Sequence, residues 1–115
     1  MDPARVTVEQ VQGVTVAHVD GELDKLAAGA VRSRLDGLVD GGPLVIDLGG
    51  VSFLDSAGLH TLFGLGRTVA ARGGRLALAV AEGGAVSRIV EIAHLGDVVP
   101  VRGSVDEALA AVDVS

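Results

Sequence analysis

The sequence of 115 residues contains no cysteine, tryptophan or tyrosine, and only two phenylalanines. The lack of cysteine excludes disulfides, thiolate metal sites and cysteine nucleophiles. Because 49% of the residues are apolar but only 2% are aromatic, the predicted core consists of valine, leucine, isoleucine and alanine. This length and this apolar content are typical of one independently folded unit. We therefore predict a single domain over residues 1–115.

Basic residues are also scarce. Nine of them stand against fifteen acidic residues, which gives a formal net charge of −6. Lys25 is the only lysine and the arginines are scattered, whereas a nucleic-acid-binding surface needs clustered positive charge. Binding to an anionic membrane surface is disfavoured for the same reason. We predict that neither nucleic acid nor membrane is a direct partner.

Long apolar runs and a signal peptide are absent as well. The longest purely apolar stretch, residues 76–81, is far shorter than the ~20 residues that a membrane-spanning helix needs. Residues 1–10 lack a basic start followed by an apolar run. The sequence therefore predicts a cytoplasmic protein.

Valines alternate with other residues on both sides of Gly13, which is typical of a β-hairpin. We expect the second strand of this hairpin to end near Asp20, because Gly21 follows it. Asp24 is then placed to cap a first helix. The apolar face of this helix would consist of Leu26, Ala30, Val31, Leu35, Leu38 and Val39.

Strands and helices alternate along the rest of the chain. We predict short buried strands at residues 44–48, 76–81 and 98–101. Gly49-Gly50 follows the first of these strands, and a third helix lies between Gly83-Gly84 and Gly96. Ser104 and Glu107 have the spacing of a capping box for a final helix. The order β-β-α-β-α-β-α-β-α predicts an α/β domain with about four helices and a mixed, mainly parallel sheet of about five strands.

Two segments rich in small and acidic residues lie between a strand and a helix, at residues 21–24 and 55–58. Functional residues of such sheets collect beyond the carboxyl ends of the strands, so we expect the two segments to lie together. Ser56 could be no more than a helix cap that accepts a hydrogen bond from a free backbone N–H, and Asp55 could take the same position. The residues alone leave both interpretations open.

The run from Leu44 to Leu48 followed by residues 51–59, with residues 21–24 ahead of the first helix, resembles the STAS domains and, more narrowly, the bacterial anti-sigma-factor antagonists. The resemblance covers essentially the whole chain. It implies a non-enzymatic protein without a cofactor, which binds a serine-kinase anti-sigma factor and thereby releases a sigma factor. It further implies that the kinase phosphorylates Ser56, that phosphorylation breaks the contact, and that a phosphoprotein phosphatase restores it.

The resemblance also indicates a docking face around Ser56. One departure from the family lies there, because Ala57 stands where many relatives have a second serine. We predict a monomer or weak dimer that contacts its partner through Glu22, Asp24, Lys25, Asp55, Ala57, Gly58, His60, Thr61, Gly64 and Arg67.

Other functions remain as alternatives. The acidic residues could hold Mg²⁺ in a receiver-like or phosphatase domain, with Lys25 beside them; these residues are Glu22, Asp24, Asp47 and Asp55. The chain could also be a STAS scaffold subunit that is never phosphorylated. The histidines at 18, 60 and 94 are too dispersed for a zinc pair, and Ser56 with His60 lacks the nucleophile-elbow pattern. We predict no metal ligand and no catalytic residue.

Overall fold

The computed structural model describes residues 4–113. Strands and helices follow the predicted order, with one additional 3₁₀ helix after the third helix. The elements are β1 (Arg5–Val11), β2 (Val14–Leu23), α1 (Ala28–Asp36), β3 (Pro43–Leu54), α2 (Ser56–Ala71), β4 (Arg75–Ala79), α3 (Ala85–Ile92), the 3₁₀ helix (Leu95–Asp97), β5 (Val101–Arg102) and α4 (Val105–Ala111).

The five strands form one sheet in the order in which they occur along the chain. β1 pairs antiparallel with β2, and every later neighbour is parallel. The prediction of a mixed, mainly parallel sheet is therefore confirmed. Gln12 and Gly13, between β1 and β2, have φ angles of 54° and 81°. Positive φ at both central residues is what a two-residue hairpin turn of type I′ requires.

Helices cover both faces of the sheet. On one face, α1, α2 and α3 pack on an extensive aliphatic core. On the other face, α4 packs mainly against β3, β4 and β5, where Ala108 and Val112 meet Val14, Val16 and Val45. The buried hydrophobic residues between residues 4 and 113 are all valine, leucine, isoleucine or alanine, as predicted.

β2 and β3 are longer than predicted. β2 continues past Asp20 and Gly21, and β3 runs without a break through Gly49-Gly50. The two strands pair along this extension, with two irregularities in register. Such bulges accommodate an extra residue and increase the local bend and twist. The predicted end of the second strand near Asp20 and the predicted end of the third strand at Leu48 are therefore wrong.

α1 begins later than predicted, at Ala28. Asp24 does act as a cap, but of a tight turn ahead of the helix: its Oδ1 accepts hydrogen bonds from the backbone N–H of Leu26 (3.1 Å) and Ala27 (3.0 Å). As a result, Leu26 is 85% exposed and Ala30 is exposed as well, so neither belongs to the buried face. The part of the predicted face that packs into the core consists of Val31, Leu35, Leu38 and Val39.

The C-terminal part of the chain agrees with the prediction at one helix and differs at another. Ser104 caps α4, since its Oγ accepts a hydrogen bond from the backbone N–H of Glu107 at 3.1 Å. Gly96 does not end α3. That helix ends at Ile92, and His94 then takes the left-handed conformation, with φ 58°. The reversal is thus made earlier and without glycine, and β5 shrinks to two residues.

Candidate functional site

The two predicted loop segments meet at the carboxyl ends of β2 and β3. Leu23 and Leu54, the last residues of the two strands, are paired in register. Beyond them, the backbone N–H of Asp55 points to the carbonyl oxygen of Leu23 at 3.5 Å. The backbone N–H of Lys25 donates to Oδ2 of Asp55 at 2.9 Å. The expectation that residues 21–24 and 55–58 lie together is therefore confirmed.

Asp55 is the N-cap of α2. Its backbone is extended, and its Oδ1 accepts a hydrogen bond from the backbone N–H of Gly58 at 3.0 Å. This hydrogen bond is the main reason that the pKa of the Asp55 carboxyl lies below its usual value, and the N–H of Lys25 lowers the pKa further. Asp55 is consequently ionised at neutral pH, with both oxygens occupied by backbone donors.

Ser56 is the first residue of α2 and is exposed. Because Asp55 takes the cap position, the interpretation of Ser56 as the helix cap is wrong. Its hydroxyl makes no hydrogen bond to any group within residues 4–113. The Ser56 side chain is thus accessible and has no structural role. The neighbouring Asp55 carboxylate, in contrast, caps α2.

Gly58 allows α2 to start so close to the end of β2. It is buried, and a Cβ on it would collide with the carbonyl oxygen of Leu23 and lie 2.6 Å from Cδ1 of Leu54. Only glycine leaves room for this approach without a shift of the backbone. Gly58 was predicted as a contact residue, and the structure places it in the packing beneath the loop instead.

The loop before α1 presents the remaining predicted residues. Lys25 is exposed, and Asp24 and Glu22 are half-buried. Glu22 lies opposite Phe53 in the ladder between β2 and β3. Ala57, on the first turn of α2, is half-buried as well. The surface around Ser56 therefore combines acidic side chains with one cationic group.

Comparison with known proteins places this arrangement in a family. The profile of the STAS domain matches residues 5–108. The chain belongs to the STAS-domain family. An anti-sigma F factor antagonist from Paenibacillus polymyxa is 25% identical over 113 residues, which is 96% of each chain. The crystal structure of an anti-sigma factor antagonist from Mycobacterium paratuberculosis has a TM-score of 0.80 and 31% identity, and covers 95% of this chain and 93% of that one.

A third similar structure is that of the Bacillus cell fate determinant SpoIIAA in its phosphorylated form, with a TM-score of 0.64 and 21% identity over 95% of this chain and all of that chain. At this identity the likeness concerns the fold. The predicted resemblance to STAS domains and to anti-sigma-factor antagonists is confirmed, and these relatives support an antagonist function, which is regulatory.

In this STAS domain the outer surface of α2 is smaller than predicted. His60 and Arg67 are exposed, but Thr61 is only 5% exposed and Gly64 is buried. Thr61 turns inward with the apolar side of the helix. Gly64 lies under the guanidinium group of Arg32, which comes across from α1. The assignment of Thr61 and Gly64 to an exposed face is therefore wrong.

Arg32 joins the two helices and was missed by the sequence analysis. Its Nε pairs with Oδ1 of Asp36 at 2.8 Å, and its Nη2 donates to Oγ1 of Thr68 at 3.2 Å. The spacing of four residues between Arg32 and Asp36 was a visible signal of a helix ion pair. Nothing local indicated that the same guanidinium would cover Gly64.

Two exposed hydrophobic side chains also border the site. Leu26 is 85% exposed and Phe53 is 48% exposed. Phe53 directly precedes the buried Leu54 in β3, and neighbouring residues of a strand face opposite sides. This alternation was the available signal for Phe53. Leu26 could not be found in this way, since its helical spacing favoured the core.

Three of the four acidic residues of the alternative Mg²⁺ site have separate structural roles. Asp24 caps its turn, Asp55 caps α2, and Asp47 contacts His18 on the sheet, with Nδ1 and Oδ2 2.7 Å apart. Within residues 4–113, no group of three or more histidine or acidic side chains is arranged to hold a metal ion. In the same part of the chain, no helix is long and apolar enough to cross a membrane.

Proposed function

We propose that this STAS domain is an anti-sigma-factor antagonist switched at Ser56. It binds a serine-kinase anti-sigma factor and thereby frees the sigma factor. The kinase transfers a phosphoryl group from ATP to Ser56, which ends the contact, and a phosphatase removes the group again. The observation that carries this proposal is the exposed Ser56 hydroxyl, which is left without a structural role because Asp55 caps α2.

Phosphorylation at this position should leave the fold intact. A phosphate adds about −1.5 to −2 charges. At a helix N-terminus the dipole favours an anion by about 0.3–1 kcal/mol, and the ionised Asp55 next to it acts in the opposite direction. These effects are small and opposed, and the exposed side chain needs no repacking. The domain therefore remains folded in both states.

The same phosphate would abolish binding. A partner that covers the loop has to remove the phosphate from water, and leaving such a charge unpaired in an interface costs about 3 kcal/mol or more. Since about 1.4 kcal/mol corresponds to a factor of ten in affinity, this is a loss of about a hundredfold or more. The switch thus acts on the complex, and the contact surface that it serves comprises Glu22, Asp24, Lys25, Asp55, His60 and Arg67.

The test is to incubate the protein with the candidate serine-kinase anti-sigma factor and ATP, and to map the phosphate by mass spectrometry. We expect one phosphate, on Ser56, and none on the Ser56→Ala variant. Ser52→Ala is the matched control, because Ser52 is exposed four residues earlier and should not affect the reaction.

Binding to the kinase is then compared between variants. We expect Ser56→Ala to bind as the unmodified protein does and Ser56→Asp to bind at least tenfold more weakly. Equal affinities of these two variants, or a phosphate on another residue, would contradict the switch. A protein that binds the kinase but is never phosphorylated would instead be a STAS scaffold subunit.

A further inference from the structure

A histidine is held between two carboxylates on the sheet, away from Ser56. Nδ1 of His18, on β2, lies 2.7 Å from Oδ2 of Asp47 on β3. Its Nε2 lies 2.7 Å from Oε2 of Glu9 on β1. One imidazole ring therefore links three adjacent strands. The side chains of His18 and Asp47 are 27% and 23% exposed, so the linkage is partly shielded from water.

The position of His18 explains why the ring is accessible to both carboxylates. It lies two residues after Val16, which packs under α4, and residues two apart in a strand share a face. α4 covers mainly β3, β4 and β5. Beyond Val16, the part of this face that lies over β1 and β2 is therefore open to a polar cluster.

The two contacts of the His18 ring depend on how many protons its nitrogens carry. A neutral imidazole has one N–H donor and one nitrogen lone pair, whereas an imidazolium has two donors. Both carboxylates are hydrogen-bond acceptors when ionised. Only the protonated ring can donate to Glu9 and Asp47 at once. Loss of the proton turns one of the two contacts into a lone pair facing a carboxylate oxygen.

The contact with Asp47 falls at a bulge. His18 pairs with Asp47, but Asp20, two residues later on β2, pairs with Gly50, three residues later on β3. The other oxygen of Asp47, Oδ1, accepts a hydrogen bond from the backbone N–H of Gly49 at 2.8 Å. The carboxylate that binds the imidazole thus also holds the irregular part of β3.

The charges of Glu9 and Asp47 favour the protonated ring. Asp20 lies on the same face of β2 and pairs in register with Arg5 of β1. The charged residues of α4 are the exposed Asp106 and Glu107. The hydrogen bond to Asp47 is the main cause that raises the pKa of His18 above 6.5, with Glu9 adding to the effect and partial burial opposing it.

We propose that Glu9, His18 and Asp47 form a proton-dependent clamp that fastens the edge strand β1 and the bulge of β3 to β2. β1 is paired on one side only, so its attachment depends on the hydrogen bonds to β2, on the packing of Val6 and Val11 against the core, and on this cluster. Uptake of one proton by His18 strengthens the attachment of β1 to β2, and release of the proton weakens it.

The direction of the pH effect is fixed by linkage. The folded-state pKa of His18 is raised, so the clamp is fully present below the unfolded-state pKa and is lost as the pH rises through the folded-state pKa. Linkage to a single proton limits the change in the opening equilibrium of β1 to about tenfold per pH unit.

Hydrogen exchange of the β1 amides between pH 5.5 and 8.5, corrected for intrinsic exchange rates, tests this proposal. We expect protection in the unmodified protein to fall as the pH rises, and this dependence to vanish in His18→Gln. Glu9→Gln should reduce the dependence. His94→Gln is the control and should keep it, since His94 is exposed and 3.8 Å from Asp97.

Protection of β1 that does not change with pH, or that changes equally in His18→Gln, would overturn the clamp. If His18→Gln does not fold, the ¹⁵N resonances of the His18 ring in the unmodified protein decide instead. Both nitrogens should carry protons at pH 6.5, and the ring should lose one at a higher pH in the folded protein than in the urea-unfolded protein. Titration of His18 at the same pH in the folded and unfolded protein would refute the proposal.

Discussion

Helices α2 and α4 begin in the same way but use different residues as their caps. In α4, Oγ of Ser104 accepts a hydrogen bond from the backbone N–H three residues on, at 3.1 Å. In α2, Oδ1 of Asp55 does the same at 3.0 Å, and the serine comes one residue later. The hydroxyl of Ser104 is therefore engaged in a cap hydrogen bond, and the hydroxyl of Ser56 is not. A shift of one position separates a structural serine from one that is available for modification.

The residue whose backbone N–H donates the cap hydrogen bond differs most strongly between the two helices. In α2 it is Gly58, which has no room for a Cβ, and in α4 it is the exposed Glu107. Helix propensity favours alanine over glycine by about 1 kcal/mol, but the conflict with the Leu23 carbonyl outweighs it. We expect Gly58→Ala to lower the free energy of unfolding, measured with urea, by about 1–3 kcal/mol.

Glu107→Ala is the control for that measurement, because it changes the equivalent position of α4. We expect a change within about 0.5 kcal/mol, as for other exposed residues. A Gly58→Ala variant as stable as the unmodified protein would mean that the close approach of α2 to β2 is not required.

The two serines themselves give the second prediction. Ser104→Ala removes the cap of α4 and should lower the free energy of unfolding by about 1 kcal/mol. Ser56→Ala removes a hydroxyl without a hydrogen bond, so its effect should stay within about 0.5 kcal/mol. Urea denaturation of both variants measures this difference. Equal losses would show that the Ser56 hydroxyl contributes to the cap of α2 after all.

The sequence was sufficient for the features that depend on short-range patterns. Periodicity predicted the order of the elements, the hairpin at Gly13 and the cap at Ser104. It could not choose between Asp55 and Ser56 as the cap of α2, because both residue types serve in that position. The structure assigns the cap to Asp55, whose other oxygen binds the N–H of Lys25, thirty residues away in the sequence.

The prediction is wrong where contacts between residues far apart in the sequence determine the local structure. The pair Gly49-Gly50 looks locally like the end of a strand, but β3 continues through it because it pairs with β2. Gly64 reads as part of an open helix face, but Arg32 of α1 covers it. Leu26 has the spacing of a buried residue, but the turn held by Asp24 leaves it outside. In each case a contact between segments overrides the local pattern.

The smallest expected effect is the pH dependence of the Asp55 cap, which distinguishes the two caps by their chemistry. The pKa of Asp55 is lowered by the N–H groups that its carboxylate accepts. Its contribution to stability is therefore present above its unfolded-state pKa and is lost as the pH falls through the folded-state pKa. The hydroxyl of Ser104 does not titrate in this range, so its cap is independent of pH.

Asp55→Asn keeps an oxygen for the Gly58 N–H but removes the charge and replaces Oδ2, which accepts from the Lys25 N–H, with an amide NH2 group. We expect this variant to be less stable than the unmodified protein at neutral pH and to approach it in stability below about pH 4, the range where a free aspartate takes up its proton. Urea denaturation from pH 7 to pH 2 measures this convergence. The deficit of Ser104→Ala should remain constant over the same range, because no proton is linked to that cap. An Asp55→Asn deficit that is equally constant would mean that the loss comes from the hydrogen bond to the Lys25 N–H alone, and that the charge of Asp55 adds nothing to the start of the helix.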